Sequence, residues 1–116
     1  MFPNEMKGLS DYQAFHRWFD QKQGWEQESL ENATLLLVEE VGEVAQLLKK
    51  IRWRAESDGQ QAAVEEFRPE LGAELADCLA YLLKIANRSG IDLNEAYLAK
   101  MEKNLNRTWA PPPKKA

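Results

Sequence analysis

Residues 35–48 read LLLVEEVGEVAQLL, a stretch that decides the fold because acidic side chains interrupt an otherwise apolar segment. Its apolar residues lack the period-two alternation of a strand and, through Leu47, cover nearly the whole circumference of a helix. The predicted helix runs from about Ser29 to Trp53. A helix that is apolar on nearly every side must be buried on more than one face.

Three further helices are predicted, and nothing in the chain reads as a strand, so we expect an all-α bundle of the four-helix type. Their approximate ranges are 10–24, 70–87 and 92–107, with one or two separate helical turns over 62–67. Ser10 and Gln13 fit a capping box at the start of the first helix. Pro69 suits the first turn of the third helix, where its missing N–H costs nothing. Asp92 and Glu95 fit the N-cap and third positions of the last helix.

The third helix carries an apolar stripe that we assign to its core face. The stripe consists of Leu71, Leu75, Leu79, Leu82 and Ala86. The second and third helices have too little chain around them to be covered within one copy of the protein. Because an exposed apolar patch of that size marks an interface, we expect self-association.

Length and composition place the chain among ordinary globular proteins. Its 116 residues, 44% of them apolar and 29% charged, suit one domain with one core. The net charge of -4 argues against a nucleic-acid binder held by bulk electrostatics. The longest wholly apolar run, the six residues at 78–83, is too short to cross a membrane and no secretory leader is evident, so a cytoplasmic location is expected. The single cysteine, Cys78, rules out an internal disulfide, and residues 110–116, with three consecutive prolines, are expected to form a flexible tail.

Two acidic pairs stand on the two most apolar helices. Glu40 and Glu43 are i, i+3 neighbours on one helical face, and Glu74 and Asp77 repeat that spacing on the third helix. Burying one unpaired carboxylate costs several kcal/mol, and four together add mutual repulsion. A cation shared by facing pairs removes that cost, so the four carboxylates are candidate metal ligands. The alternative is that these acids lie at the edge of the apolar faces and meet solvent.

The type of ligand favours a hard cation. All the candidate ligands are carboxylate oxygens, which suit Mg²⁺, with Mn²⁺ as the alternative. A di-iron bundle uses Glu-x-x-His motifs, but the only histidine, His16, has no glutamate three residues before it. Mg²⁺ typically binds through few carboxylates together with the phosphates of a substrate.

Three motifs, in this order, carry a resemblance to a known family. They are EVGEVA at 40–45, ELAD at 74–77 and KMEKNLNR at 100–107. Together they resemble the MazG-like all-α nucleoside triphosphate pyrophosphohydrolases, whose signature is Glu-Glu-x-x-Glu followed by Glu-x-x-Asp. The resemblance covers about 9–109, so the domain is expected at 1–109. It implies Mg²⁺-dependent hydrolysis between the α and β phosphates, giving a monophosphate and pyrophosphate, in homodimers or homotetramers.

Within that family the chain is most similar to the dCTP pyrophosphatase branch. The similarity implies a pyrimidine deoxynucleoside triphosphate as substrate, such as dCTP or a modified form, and a role in cleansing the nucleotide pool. The residues that it assigns to base binding are His16, Trp25, Trp53 and Tyr81. Aromatic rings at these positions would stack on the base.

The same resemblance assigns phosphate binding and catalysis. Lys100, Asn104 and Arg107 fall at i, i+4 and i+7 on one predicted helical face, and their nitrogens suit phosphate oxygens. The alternative for this face is an ordinary solvated basic surface. Catalysis is assigned to Glu39 and Glu40, with Glu39 as the acceptor of a proton from the attacking water or, alternatively, as an exposed bystander.

Two other functions remain open at this point. A phosphoribosyl-ATP pyrophosphohydrolase would share the helical metal site and differ in its substrate. A helical module whose acidic faces dock a basic protein would show no divalent-dependent turnover.

Overall fold

The computed structural model describes residues 5–108, and within them the chain forms four α-helices and no strand. The helices are α1 (Leu9–Gln23), α2 (Leu30–Asp58), α3 (Gln60–Arg88) and α4 (Leu93–Leu105). The all-α prediction is confirmed. The predicted end of the domain at 109 and the predicted tail at 110–116 lie outside the described residues. Over the described range, no helix is long and apolar enough to cross a membrane.

The two long helices, α2 and α3, form an antiparallel pair joined by a single residue. Gly59 makes this link with φ of 88°, a conformation that other residues rarely adopt. Near the link, Arg54 of α2 forms an ion pair of 2.9 Å with Glu66 of α3. Because Glu40 and Asp77 lie almost equal numbers of residues from Gly59, antiparallel pairing brings them to the same level.

Side-chain caps start two of the helices, and the one at Asp92 confirms the prediction. The Ser29 hydroxyl accepts a hydrogen bond of 3.0 Å from the backbone N–H of Asn32 at the start of α2. At the start of α4, Asp92 Oδ1 accepts one of 3.1 Å from the backbone N–H of Glu95. These caps satisfy backbone donors that lack a partner within the helix.

The helix ends differ from the predicted ones in two places. α1 ends at Gln23, near Gly24 as expected, and Gly24 has the left-handed φ of 76° that favours glycine. α2 continues past the predicted end at Trp53 as far as Asp58. α4 stops at Leu105, before the predicted end at Arg107.

Pro69 lies inside α3, so the predicted separate turns before it and the predicted helix start after it are wrong. Proline removes one backbone donor, so the Glu65 carbonyl loses its i+4 partner. The helix nevertheless continues, because it packs against α2 on both sides of the proline. Ala63 before Pro69 and Leu83 after it are both buried.

The predicted capping box of α1 is wrong, because Gln13 forms hydrogen bonds with other segments of the chain instead of capping the helix. No side chain caps this helix, and Gln13 is buried. Its Nε2 donates hydrogen bonds to Asn87 Oδ1 at 3.0 Å and to the Ile91 carbonyl at 2.9 Å, while its Oε1 accepts one of 2.9 Å from the Leu93 N–H. Gln13 therefore ties α1 to the end of α3 and the start of α4.

The buried core of one chain is small. Its apolar members are Ala33, Leu47, Ile51, Ala63, Leu83 and Ala86. The stripe predicted as the core face of the third helix is partly wrong, because Leu75, Leu79 and Leu82 are exposed within one chain. On α2, Leu35 and Val38 are 67% and 63% exposed. Both long helices therefore carry apolar side chains that a single chain leaves in contact with solvent.

Candidate active site

The acidic cluster, which consists of Glu40, Glu43, Glu74 and Asp77, lies where the middle of α2 faces the middle of α3. One carboxylate oxygen each from Glu40, Glu74 and Asp77 come within 4.8 Å of one another. Glu43 is close enough to raise the pKa of both Glu40 and Glu74. The i, i+3 spacing on each helix aims both pairs at one volume. The structure thus brings ligand atoms of three predicted metal ligands within 4.8 Å of one another, and Glu43 interacts with two of them.

The carboxyls of the acidic cluster perturb one another. Burial raises the pKa of Glu40 to about 7, with further increases from side-chain hydrogen bonding to Glu43 and Glu74 and from the charges of Glu43 and Asp77. The pKa of Glu74 is raised first by hydrogen bonding to Glu43 and then by burial. Because two carboxyls can form a hydrogen bond only when one carries a proton, the cluster without a cation retains protons that isolated glutamates would have lost.

Two oxygens of the acidic cluster need a partner. When both groups are ionised, the buried atoms Glu40 Oε2 and Glu74 Oε2 have no hydrogen-bond partner within residues 5–108. An unpaired buried acceptor is costly, and a cation between the two helices would satisfy both oxygens. Since all the ligand atoms are oxygens, a hard divalent ion such as Mg²⁺ suits them. The residues present therefore fit a divalent metal ion.

Cys78 follows Asp77 of the acidic cluster in sequence and is not among the residues whose ligand atoms converge there. Burial raises the pKa of its thiol, and the negative charges of Glu40 and Glu74 raise it further. This environment favours the protonated thiol of Cys78, whereas a metal binds the thiolate.

Tyr81 and Lys84 continue the face of α3 that carries Asp77, at i+4 and i+7 from it. Burial raises the pKa of Tyr81, and the charge of Glu40 in the acidic cluster adds to the increase. The Lys84 ammonium lies 5.1 Å from the centroid of the Tyr81 ring and 4.8 Å from that of Trp25. Both distances are within the range of cation–π attraction.

His16 and Trp25 come from α1 and the segment after it, and Trp25 is the residue of this segment that the Lys84 ammonium contacts. Trp25 packs edge-on against Phe19, with ring centroids 5.7 Å apart. Burial lowers the pKa of His16, while the charge of Asp20 raises it and that of Lys84 lowers it. His16 Nδ1 is buried and has no hydrogen-bond partner in the described part of the chain. Trp25 and Tyr81 thus border the Lys84 ammonium, whose charge also acts on His16, and we refer to these four residues as the aromatic pocket.

Lys84 and Asp20, which were not among the predicted site residues, form a buried ion pair of 3.5 Å. Asp20 also forms an ion pair of 3.4 Å with Arg88, and Arg88 forms one of 3.1 Å with Glu28. The sequence did contain a signal, because a lysine within LLKIA at 82–86 is unusual in an apolar run. Lys84 and Arg88 also extend the helical face of Asp77 at i+7 and i+11.

Trp53 lies apart from the aromatic pocket in a single chain. It is 62% exposed, and the Lys49 ammonium lies 5.1 Å from its ring centroid. It borders a cavity of about 350 Å³ that Phe67 also lines. At a rise of about 1.5 Å per residue, Trp53 is roughly 20 Å along α2 from Glu40. The structure therefore does not bring Trp53 together with the other three predicted base-binding residues.

The predicted phosphate-binding residues lie on and beyond α4, which packs against α1. Lys100 is exposed and Asn104 is half-buried on α4, whereas Arg107 follows the helix. The prediction that all three share one helical face is wrong, because α4 ends at Leu105. Their role in phosphate binding remains a prediction.

Glu39 is exposed on α2, next to Glu40 of the acidic cluster. Its charge is among those that raise the pKa of Tyr81. Its role as a proton acceptor also remains a prediction.

Comparisons with known proteins bear on the whole site. Residues 28–109 match the MazG nucleotide pyrophosphohydrolase domain. dCTP pyrophosphatase 1 from Mus musculus is 38% identical to this chain over 101 residues, which are 85% of this chain and 58% of that protein. The proteins of the same name from Bos taurus and Homo sapiens are 39% and 38% identical, with the same coverage. The chain thus spans 58% of the length of these relatives.

Proposed function

Because the chain belongs to the MazG nucleotide pyrophosphohydrolase family, we propose that it hydrolyses a nucleoside triphosphate between the α and β phosphates. The products are a nucleoside monophosphate and pyrophosphate. The observation that carries the proposal is the acidic cluster, which gathers three carboxylate oxygens within 4.8 Å and leaves two buried oxygens without a hydrogen-bond partner among the described residues.

Glu40, Glu43, Glu74 and Asp77 would hold Mg²⁺ or Mn²⁺. When bound, such an ion neutralises phosphate charge and orients the phosphates for in-line attack by water. The chain itself fixes the four carboxylates on two long helices, so the position of the charge is set before the substrate arrives. Glu39 would take the proton from the attacking water.

dCTP, or a related pyrimidine deoxynucleotide, is the substrate that we propose, with pool cleansing as the role. The relatives at 38% identity are named dCTP pyrophosphatase 1. The aromatic pocket adjoins the acidic cluster at Tyr81, so a base stacked in the pocket would have its phosphates near the carboxylates. The nitrogens of Lys100, Asn104 and Arg107 would bind phosphate oxygens.

The active form that we propose is a homodimer or homotetramer. Leu35 and Val38 on α2, with Leu75 and Leu82 on α3, are exposed in one chain. Each Å² of apolar surface that a second copy covers contributes about 25 cal/mol. Trp53 could take part in base binding only from a neighbouring copy.

The experiment that tests the function is a product analysis. The protein is incubated with Mg²⁺ and a panel of nucleotides, and dCTP should yield dCMP and pyrophosphate. Glu74→Gln should abolish turnover, whereas Glu56→Gln, an exposed acid near the end of α2, should retain it. Release of a diphosphate and phosphate would contradict the proposal.

The same panel separates the other two functions. Turnover of phosphoribosyl-ATP without turnover of deoxynucleotides would favour the phosphoribosyl-ATP pyrophosphohydrolase. If no compound is hydrolysed with any divalent ion, a partner-binding module becomes the better explanation.

A further inference from the structure

Lys84 places a positive charge inside the aromatic pocket that neither metal binding nor the predicted phosphate ligands require. The residue is 7% exposed. Its ammonium lies 4.8 Å from the ring centroid of Trp25 and 5.1 Å from that of Tyr81, so two aromatic rings border it. Its counter-ion, Asp20, is 3.5 Å away, which is longer than a good N–H···O hydrogen bond. The ammonium therefore keeps donor capacity for another acceptor.

The pocket combines two polar groups of defined character. The ammonium of Lys84 has three donors and no acceptor. His16 Nδ1 is buried without a hydrogen-bond partner within residues 5–108, and in the neutral ring it can accept when the proton lies on Nε2. A ligand edge that places an acceptor beside a donor would complement both groups.

Cytosine presents that edge, and uracil and thymine present its reverse. In cytosine the N3 atom accepts and the neighbouring amino group donates. In uracil and thymine N3–H donates and O4 accepts. An N3–H facing the buried ammonium would leave two donors opposed, and such unpaired buried groups are penalised.

We propose that Lys84 is a specificity-determining residue, whose ammonium donates a hydrogen bond to N3 of cytosine and so selects cytosine over uracil and thymine. This inference rests on the proposed function, because it identifies the base that the same site accepts.

Neutralisation of Asp20 does not explain Lys84. Arg88 already lies 3.4 Å from Asp20 and would remain its partner if the ammonium were removed. Lys84→Met keeps a long apolar stem between the two rings and deletes the charge, so it isolates the donor from its packing.

The test compares kcat/KM for dCTP and dUTP in the parent protein and in Lys84→Met. The parent should prefer dCTP by at least about tenfold, and the variant should lower that preference by about ten- to a hundredfold, the effect of one hydrogen bond to a charged group. Lys22→Met is the matched control, because Lys22 also lies over a tryptophan ring, at 5.1 Å from Trp18, but is exposed. This control should keep the parent's preference.

A substrate analogue gives a second measurement that does not depend on the variant folding. In 3-deaza-dCTP a C–H replaces N3, so the parent should hydrolyse it about ten- to a hundredfold less efficiently than dCTP. Lys84→Met should treat the two compounds alike.

Three results would overturn the inference while leaving the proposed function intact. They are an unchanged dCTP preference in Lys84→Met, equal turnover of dCTP and 3-deaza-dCTP by the parent, and a preference of the parent for dUTP. An equal loss with both substrates in the variant would make Lys84 a positioning residue only. If the parent hydrolyses no triphosphate, the proposed function and this inference both fail.

Discussion

Replacing Asp20 by asparagine tests the buried charges between α1 and α3. The Asp20 side chain lies 3.5 Å from Lys84 and 3.4 Å from Arg88 and is shielded from solvent. Asparagine keeps the volume but removes the negative charge, so Lys84 stays buried without its counter-ion. Breaking a buried pair in this way costs about 3–5 kcal/mol. At roughly 4 °C per kcal/mol for a domain of this size, the Tm should fall by about 12–20 °C.

Thermal and urea unfolding at one protein concentration measure this loss. Asp58→Asn is the control, because its 3.9 Å pair with Arg54 has side chains that are 48% and 50% exposed and should contribute less than about 1 kcal/mol. Adding Lys84→Met to Asp20→Asn should restore part of the stability, since no uncompensated ammonium remains. If Asp20→Asn behaves like Asp58→Asn, or the double variant is the less stable one, the reasoning about this ion pair is refuted.

The acidic cluster and the helix surfaces give four further expectations. Because the pKa of Glu40 is raised to about 7 in the metal-free fold, its protonation stabilises that fold fully below about pH 4.5, and this stabilisation is lost as the pH rises through about 7. Melting curves should therefore show stability that falls with increasing pH, and Glu40→Gln should flatten this fall. Mg²⁺ at ten times its Kd should stabilise the parent by about 1.4 kcal/mol, and a calorimetric shift that persists in Glu43→Gln would contradict the metal site. Lys100→Ala should weaken triphosphate binding about ten- to a hundredfold in titration calorimetry while keeping the stabilisation by Mg²⁺. Unchanged binding would mean that Lys100 is an ordinary solvated surface residue. Light scattering should show an oligomer that Leu35→Glu with Leu82→Glu dissociates, whereas a parent that is monomeric at micromolar concentration would rule out self-association.

The features that the sequence could predict are those set by local spacing. The i, i+3 pairs at Glu40 and at Glu74 needed only helical geometry and two facing helices to converge. The predicted cap at Asp92 is likewise local, because its side chain accepts a hydrogen bond from the backbone N–H three residues later.

The features that escaped prediction depend on contacts between distant segments. Gln13 resembles a capping residue in sequence, but its partners are at Asn87 and beyond. Asp20 and Lys84 become a pair only when α1 docks on α3, which no spacing within either helix reveals. Pro69 normally marks a helix start, and here tertiary packing against α2 outweighs that local preference.

Asp77, Tyr81 and Lys84 share one face of α3, so the number of residues between them fixes the position of the aromatic pocket relative to the acidic cluster. One residue inserted between Asp77 and Tyr81 would turn the rest of the helix by about 100° and carry Lys84 away from Trp25. Such a protein would still gather the carboxylates but would lose the pocket beside them. Evolution can lengthen the link at Gly59 at little cost in loop entropy, whereas this part of α3 must keep its number of residues.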